Sequence, residues 1–435
     1  MKSIVVMPVA LVGLLGVVVG AASAAPGVTE RVSVSSSGAE ADFISEMSAV
    51  SADGRVVAFA SQASNLVPLD TNGVADIFVR DRVTGTTERV SVDSKGRQGD
   101  GHSGIVGVAG YPAISADGRF VAFPSEATNL VKKDRNGATD IFVRDRLTGT
   151  TERVSVSSAE REANGFSDGP AISADGRFVA FHSGADNLVP GDDNFADDVF
   201  VRDRLTGTTE RASVSSTGVG GNSTSFLADL SADGRFVVFT SGAENLVPGA
   251  TTSFFQVFLH DRVTGKTERV SQDAAGNGGD GNSAVPVVSA DGRFVAFETV
   301  AANLIGDGSH QGHILVRDRA TGGFERVSVD SAGNPGDEFS GRPDITADGR
   351  YVAFQSIATN LVAGDTNNRS DIFVRDRQSG TTARVSVSSA GAEANGGSER
   401  AKIADDGAVS AFQSNADNLV PGDTGPTTDI FVHVR

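Results

Sequence analysis

A chain of 435 residues with a formal charge of −18 repels phosphate backbones and anionic lipid surfaces; this argues against a nucleic-acid partner and leaves cations, basic proteins and neutral glycans open. There is no cysteine, so disulfide staples and a lipid anchor on a processed N-terminal cysteine are excluded and stability has to come from a buried core. Tryptophan is absent and there are only 2 tyrosines against 25 phenylalanines, a composition poor in the aromatic platforms on which sugars stack.

Residues 1–24 read as an export signal. Lys2 supplies the positive start, residues 4–19 are almost wholly apolar, and Ala22-Ser23-Ala24 has the small-residue pattern of a cleavage site. The apolar run is short for a membrane-spanning helix, so cleavage after Ala24 is expected, with no membrane insertion afterwards. The remainder, 25–435, is then a secreted or periplasmic protein, expected to be a monomer.

Next comes Thr29-Glu30-Arg31-Val32-Ser33-Val34-Ser35, a strand-like stretch with no sequence neighbour to pair with. After it, self-similarity dominates. The motif S/T-A-D-G-R recurs with its aspartate at 53, 117, 175, 233, 291 and 348, and a degraded copy holds Asp406. These seven copies lie about 58 residues apart, too β-rich for paired-helix repeats, and only the interval from Asp53 to Asp117 is longer, by about six residues.

Within a unit, Pro170–Ser173 is a short strand, Ala174-Asp175-Gly176 a tight turn and Arg177–Phe181 a second strand. A polar loop leads to a third strand, Asp198–Arg202. Leu205-Thr206-Gly207 then turns the chain into a fourth, Thr209–Val214. Four antiparallel strands make one propeller blade, so the fold class is an all-β, seven-bladed β-propeller. The second strand is apolar on both faces (Phe120 and Ala122, Val121 and Phe123), as expected where neighbouring blades cover both sides. The fourth carries Glu152 and Arg153, suiting an outer edge.

Phase predicts how the ring closes. The last repeat stops at Asp429–Arg435 without a fourth strand, while the unpaired stretch 29–35 is a fourth strand without a blade. The N-terminal strand is therefore expected to complete blade seven; an open solenoid would need polar caps at both ends instead.

The pairing of S-A-D-G-R-F-V-A-F with D-I-F-V-R-D-R resembles the WD40-like (PD40) repeat of TolB-type bacterial propellers over nearly all of residues 29–435. The resemblance implies the propeller fold and a range of roles, from protein-binding platform to peptidase gating domain. The hairpin here reads Ala-Asp-Gly instead of Pro-Asp-Gly, the loops between second and third strands are long, and the small N-terminal α/β domain of TolB has no counterpart. A role in envelope-complex assembly therefore does not carry over.

Candidate sites fall on those loops. A pattern D-x-N-x-x-x-D recurs at Asp70/Asn72/Asp76, Asp134/Asn136/Asp140 and Asp365/Asn367/Asp371, with a crowded version at Asp192/Asn194/Asp198 beside Asp193 and Asp197. Carboxylate and amide oxygens two residues apart are what Ca²⁺ takes, with carbonyls or water completing its shell, although the bidentate glutamate of an EF-hand is missing. The same residues equally build Asx-turns and strand caps without any metal. Blade four has lost every acid over 250–256 and blade seven keeps Asp423 and Asp429, so calcium in every blade is not expected.

Arg80-Asp81-Arg82 recurs as Arg144-Asp145-Arg146, Arg202-Asp203-Arg204, Arg317-Asp318-Arg319 and Arg375-Asp376-Arg377; a set that repeats reads as a structural ion-pair network rather than a catalytic centre. Symmetry breaks at Gly104–Tyr111, a longer connection between blades one and two, and at Phe195, Phe254 and Phe255, for which packing under the loops is expected over exposure as a partner patch. His310 and His313 are the only neighbouring histidines, and a polar loop suits them better than a transition-metal site. Neither the Ser-x-Asp-x-Gly box of sialidase propellers nor a Gly-x-Ser-x-Gly elbow is present.

These readings favour a secreted, non-catalytic binding or scaffold propeller whose acidic loop face meets a protein or glycan partner, with Ca²⁺ as the one cofactor the loops suggest. The alternative is an extracellular carbohydrate-active or other hydrolytic enzyme using loop-face acids as a catalytic pair.

Overall fold

The computed structural model describes residues 27–104, 110–249, 253–306, 308–423, 425 and 427–435. The export-signal residues lie outside these. The described chain forms seven four-stranded sheets, all pairings antiparallel, and among the described residues no helix is long and apolar enough to cross a membrane.

Each blade starts on the axis and works outward. In blade one the strands are Ser45–Val50, Val56–Ser61, Asp76–Asp81 and Thr86–Arg89. The second strand is buried throughout because neighbouring blades sandwich it. In the gap between blades one and two, Ala58, Val79 and Val90 meet Val121, Phe123 and Leu130. Phe123 and Phe142, on adjacent strands of one blade, stack with ring centroids 6.0 Å apart. The sixfold recurrence of this pair or its close variants gives the ring a uniform apolar filling with no single central core.

The S-A-D-G-R turn has three separate causes. Ser173 Oγ donates to Asp175 Oδ1 (2.7 Å) and accepts from Phe178 N–H (2.9 Å), while Arg177 N–H donates to Asp175 (2.9 Å), closing the hairpin. Gly176 sits at φ +73°, and a Cβ there would lie 2.2 Å from Phe120 of the preceding blade. Glycine is thus required twice, by backbone sign and by blade packing. In the first five turns the alanine donates its N–H to the equivalent carbonyl of the next blade, from Ala52 to Ala116 (3.1 Å), Ala116 to Ala174 (3.0 Å) and onward to Ala290 and Ala347. Asp405 of blade seven donates to Ala52 (2.9 Å), so this belt crosses the closure point.

Closure follows the predicted phase. Val28–Arg31 pairs antiparallel with Asp429–Val434, with Val28 opposite Val434 and Arg31 opposite Phe431. Val32 extends the contact, donating to Ile430 O at 2.8 Å while its side chain is buried in the gap between blades seven and one.

Two details differ from the sequence reading. The fourth strands are shorter than the alternating pattern suggests, ending at Arg211 in blade three, because the following residues turn inward to let Ser213 Oγ reach Asp198. The innermost strands are longer and broken: in six blades the register slips within the strand, as between Asp168 and Ala171. At the slip the third residue is left-handed, whether Gly169 (φ +59°) or Met47, Leu227, Val285, Arg342 and Arg400 (φ +50 to +58°). In blade two the six-residue excess enters at this same point. Ser103 bridges Ser125 as Ser167 pairs with Ser183, and Ala113 pairs with Ala122 as Ala171 does with Ala180. The excess therefore falls between these two pairings; residues 105–109 lie outside the described set.

Candidate functional site

On the loop face, the acids singled out in sequence converge. Asp76, Asp140, Asp198 and Asp371 begin their third strands and are fully buried. In blade one, Asp76 Oδ1 accepts from Ser91 Oγ at 2.5 Å, and Oδ2 accepts from Asn72 Nδ2 at 2.9 Å and Arg89 Nη1 at 3.0 Å. Asn136, Asn194 and Asn367 likewise turn their amide nitrogens to Asp140, Asp198 and Asp371, at 3.0, 2.8 and 2.8 Å. Their oxygens accept the N–H two residues on, an Asx-turn, as at Ala138 (3.0 Å) and Ala196 (3.0 Å).

The sequence reading missed the arginine that ends each fourth strand. Arg89 Nη1 bridges Asp70 (2.9 Å) and Asp76; Arg211 Nη1 bridges Asp192 (3.0 Å) and Asp198 (3.2 Å). Arg153 Nη1 reaches Asp134 (3.4 Å), Asp140 (3.0 Å) and Glu162 (2.6 Å), and Arg384 meets Asp365, Asp371 and Glu393 in the same way. Arg31, on the closing strand, takes Glu40 (2.6 Å), Asp423 (3.1 Å) and Asp429 (3.8 Å). The signal was present in the recurrence of T-T-E-R, whose arginine alternates inward at the strand end.

Three of these groups, Glu40/Asp423/Asp429, Asp134/Asp140/Glu162 and Asp365/Asp371/Glu393, bring carboxylate oxygens within 4.8 Å of one another, a separation that a metal ion can bridge. The arginine lies in the same space. Burial, then mutual repulsion, pushes Asp134, Asp192 and Asp365 up to about 6 against the pull of their arginines. Asp429 also rises to about 6, through burial. Blade four has Gln256 in place of the aspartate, and its Arg269 is buried with Nε and Nη1 unpartnered.

The Arg-Asp-Arg repeats knit blades together. Arg55 holds Asp81 through Nε and Nη2 (3.0 and 2.7 Å), and Arg80 Nη1 donates to Gly85 O (2.7 Å) and to Ser35 O of the preceding segment (3.1 Å). Arg146 Nε pairs with Glu88 of the preceding blade at 2.6 Å. Phe120 lies between Arg119 and Arg204, 4.6 and 4.5 Å from its centroid, so the network is also stacked. His313 occupies the buried strand-start position that aspartate holds in five other blades, near Ser309 Oγ (3.2 Å), while exposed His310 contacts Val300 O (2.9 Å); the two rings have separate partners. Phe255 packs edge-on against Phe226 at 5.3 Å, but Phe195 is 95% exposed, contrary to the packing expected of it.

On the axis, a cavity of about 310 Å³ is lined by the inner strands of all seven blades. Its charged lining comes from blades four, six and seven: Asp229, Arg342, Asp344, Arg400, Lys402 and Asp405. Lys402 Nζ meets Asp344 Oδ1 at 3.1 Å; Asp344 Oδ2 accepts Ile403 N–H (2.7 Å) and Asp229 Oδ2 accepts Val288 N–H (2.9 Å). Burial lifts Asp229 to about 6. These residues drew no attention in sequence because the axial strand is the most variable of the four.

Among solved structures, the chain is similar to an oligogalacturonate lyase in complex with manganese, at 14% identity over 93% of this chain and 92% of that one, with a TM-score of 0.56. It is similar to the β-propeller domain of the Trilobed protease from Pyrococcus furiosus at 12% identity, 90% and 96% coverage and a TM-score of 0.53. TolB from Acinetobacter baumannii matches at 18% identity over 71% of this chain, with a TM-score of 0.41, and the chain spans 58% of the length of TolB. No family model matches the sequence. No curated protein matches it. At these identities the likeness is one of fold.

Proposed function

We propose that the chain is an exported, non-catalytic binding propeller, acting as a monomer, whose acidic loop face meets a protein or glycan partner. The observation that carries this reading is the saturation of four aspartates that begin third strands: Asp76, Asp140, Asp198 and Asp371 each spend both oxygens on a serine, an asparagine and an arginine. A general acid and base need a proton to exchange with substrate, and carboxylates locked into a strand-end network have none to offer. What the face does present is unpaired and projecting. Phe195 stands out at φ +55° in the place where Gly73 and Gly137 take the same conformation, beside exposed Asp193.

Ca²⁺ belongs to this reading as a ligand of the three acidic groups, in competition with their arginines. Affinity capture from envelope and culture extracts, with and without calcium, tests the proposal. A partner retained by the wild type and lost with Phe195→Ala and Asp193→Asn supports it. A captured ligand that is chemically cleaved, at a rate abolished by loop-face Asp→Asn changes, replaces it with the hydrolytic alternative.

A further inference from the structure

Many of the blade arginines pair with a carboxylate, as Arg55, Arg153 and Arg384 do, and two that do not stand on the axis. Arg342 and Arg400 line the axial cavity from adjacent blades, and among the described residues neither lies within ion-pair distance of a carboxylate. Arg400 Nε and Nη1 are out of contact with water and have no hydrogen-bond partner. A buried guanidinium donor without an acceptor is costly, and proteins ordinarily satisfy it.

Both arginines stand at the left-handed bulge of the axial strand, at φ +51° and +58°. Every blade needs that backbone, but no blade needs an arginine there, since glycine, methionine, leucine and valine fill the equivalent positions. The third participant is Tyr111, which lines the cavity from blade two. Its hydroxyl accepts from Arg342 Nη1 at 2.6 Å, and the Arg400 guanidinium carbon lies 5.0 Å from its ring centroid. Residues separated by 231 positions or more in sequence thus meet across the channel, at the places where blades two, six and seven depart from the common repeat.

The surrounding charges decide the sign of the ligand. Lys402 is neutralised by Asp344 and faces Asp229 as well, and the third lining acid, Asp405, lies near Asp344. Glu298 spends Oε2 on the backbone N–H of Arg342 (2.9 Å), and Gln355 accepts the backbone N–H of Arg400 (3.1 Å). Glu46 and Glu399 lie near Arg400 but form no ion pair with it, and burial raises Glu46 toward its neutral form. Two guanidinium forks beside a phenol present planar donors at the edge of a cavity large enough for a small molecule or a chain end.

We propose that the axial cavity binds a carboxylate group between Arg342 and Arg400, with Tyr111 fixing its orientation. A guanidinium fork matches the two oxygens of a carboxylate, and two guanidinium groups without a carboxylate partner offer it charge-assisted bonds. The site lies on the axis, so it stands or falls separately from partner capture by the loop face.

Calorimetric titration of the wild-type protein with two matched pairs tests it: D-glucuronate against D-glucose, and an acetylated tripeptide with a free carboxylate against its C-terminal amide. Saturable binding of either carboxylate without its neutral counterpart is expected, and the pair that shows it identifies a sugar acid or a chain terminus as the source. Arg400→Gln should weaken that binding about ten- to a hundredfold. Because a substitution on the axis can disturb folding, the wild type provides a second reading: the bound carboxylate should protect Arg342 from phenylglyoxal, measured by peptide mass. The proposal fails if neither carboxylate binds below about 10 mM, a Kd corresponding to the weakest specific association. It also fails if the neutral counterparts bind equally, or if a folded Arg400→Gln protein binds as the wild type does.

Discussion

Arg31→Met isolates the electrostatic part of ring closure. Arg31 belongs to the closing strand, its side chain is 7% exposed, and it faces Asp423 and Asp429, which are 2% and 1% exposed. Methionine keeps most of the volume and removes the charge, leaving two buried carboxylates without a counter-charge, beside Glu40 and with Ser33 Oγ donating to Asp429. Breaking a buried pair in this way costs about 3–5 kcal/mol. Unfolding entropy of about 2.1 cal/mol/K per residue gives a ring of this size about 0.8 kcal/mol/K, so the melting temperature should fall by about 4–6 °C if the ring melts as one unit. The loss should depend on pH. Asp429 titrates near 6 in the folded protein, pushed up by burial, and Asp423 is raised for the same reason. At pH 7.5 the variant must hold Asp429 as an anion, whereas at pH 5 it holds it neutral and the penalty shrinks. Calorimetric melts at the two pH values read this directly. A fall under about 1 °C at pH 7.5, or an equal fall at both, would show that Arg31 does not neutralise this pair.

The wild type should be most stable in mild acid. Asp134, Asp192, Asp365 and Asp429 are raised to about 6, so their contribution is present below the ordinary aspartate value of 3.8 and is lost as pH rises through 6. Asp81, Asp145, Asp203, Asp261 and Asp376 are held well below the ordinary range by hydrogen bonds from their arginines, so their contribution is present above 3.8 and is lost on strong acidification. A melting maximum between about pH 4 and 6 follows, and a maximum at pH 8 contradicts it. Gln256→Asp restores a counter-charge to Arg269, whose Nε and Nη1 lack partners, and should raise the melting temperature by about 1–3 °C; a fall would mean that desolvating the new carboxylate outweighs the pairing. Arg153→Met frees Asp134, Asp140 and Glu162 for a cation, so millimolar calcium should raise the melting temperature of this variant more than that of the wild type. Equal responses would show that the arginine does not compete for the site.

The ring was legible because its determinants recur. Seven Asp-Gly turns, one surplus strand and one missing strand define the architecture from residue order alone, and the register of Arg31 opposite Phe431 adds only the atomic detail. The loop acids were legible as a group but not in their partners. Spacing along one loop reveals Asp134 and Asp140, whereas Arg153 and Glu162 reach them from other segments, and only the folded sheet brings the cation of the T-T-E-R strand to that point. Phe195 was misjudged because an aromatic residue in a loop ordinarily packs, and nothing local reveals that its left-handed backbone turns it outward.

The axial residues illustrate a more general limit. Counting residues between motifs assigns the excess of blade two to a connection, since a ladder interior ordinarily resists insertion: a slip by one residue moves every side chain to the other face. The axial strand is exempt because its ladder is already interrupted. In blade three the pairing leaves off at Asp168 and resumes at Ala171, with a left-handed residue between. Additional residues at that point need only widen an existing break, and blade two accordingly keeps Ser103 on Ser125 and Ala113 on Ala122 around a longer segment. The same break frees the third residue from strand geometry, which is why its identity varies from Gly169 to Arg342 and Arg400 without consequence for the sheet. A fold held together by repetition can therefore change its chemistry where its ladder is interrupted, and in this ring those interruptions face one another across the axis.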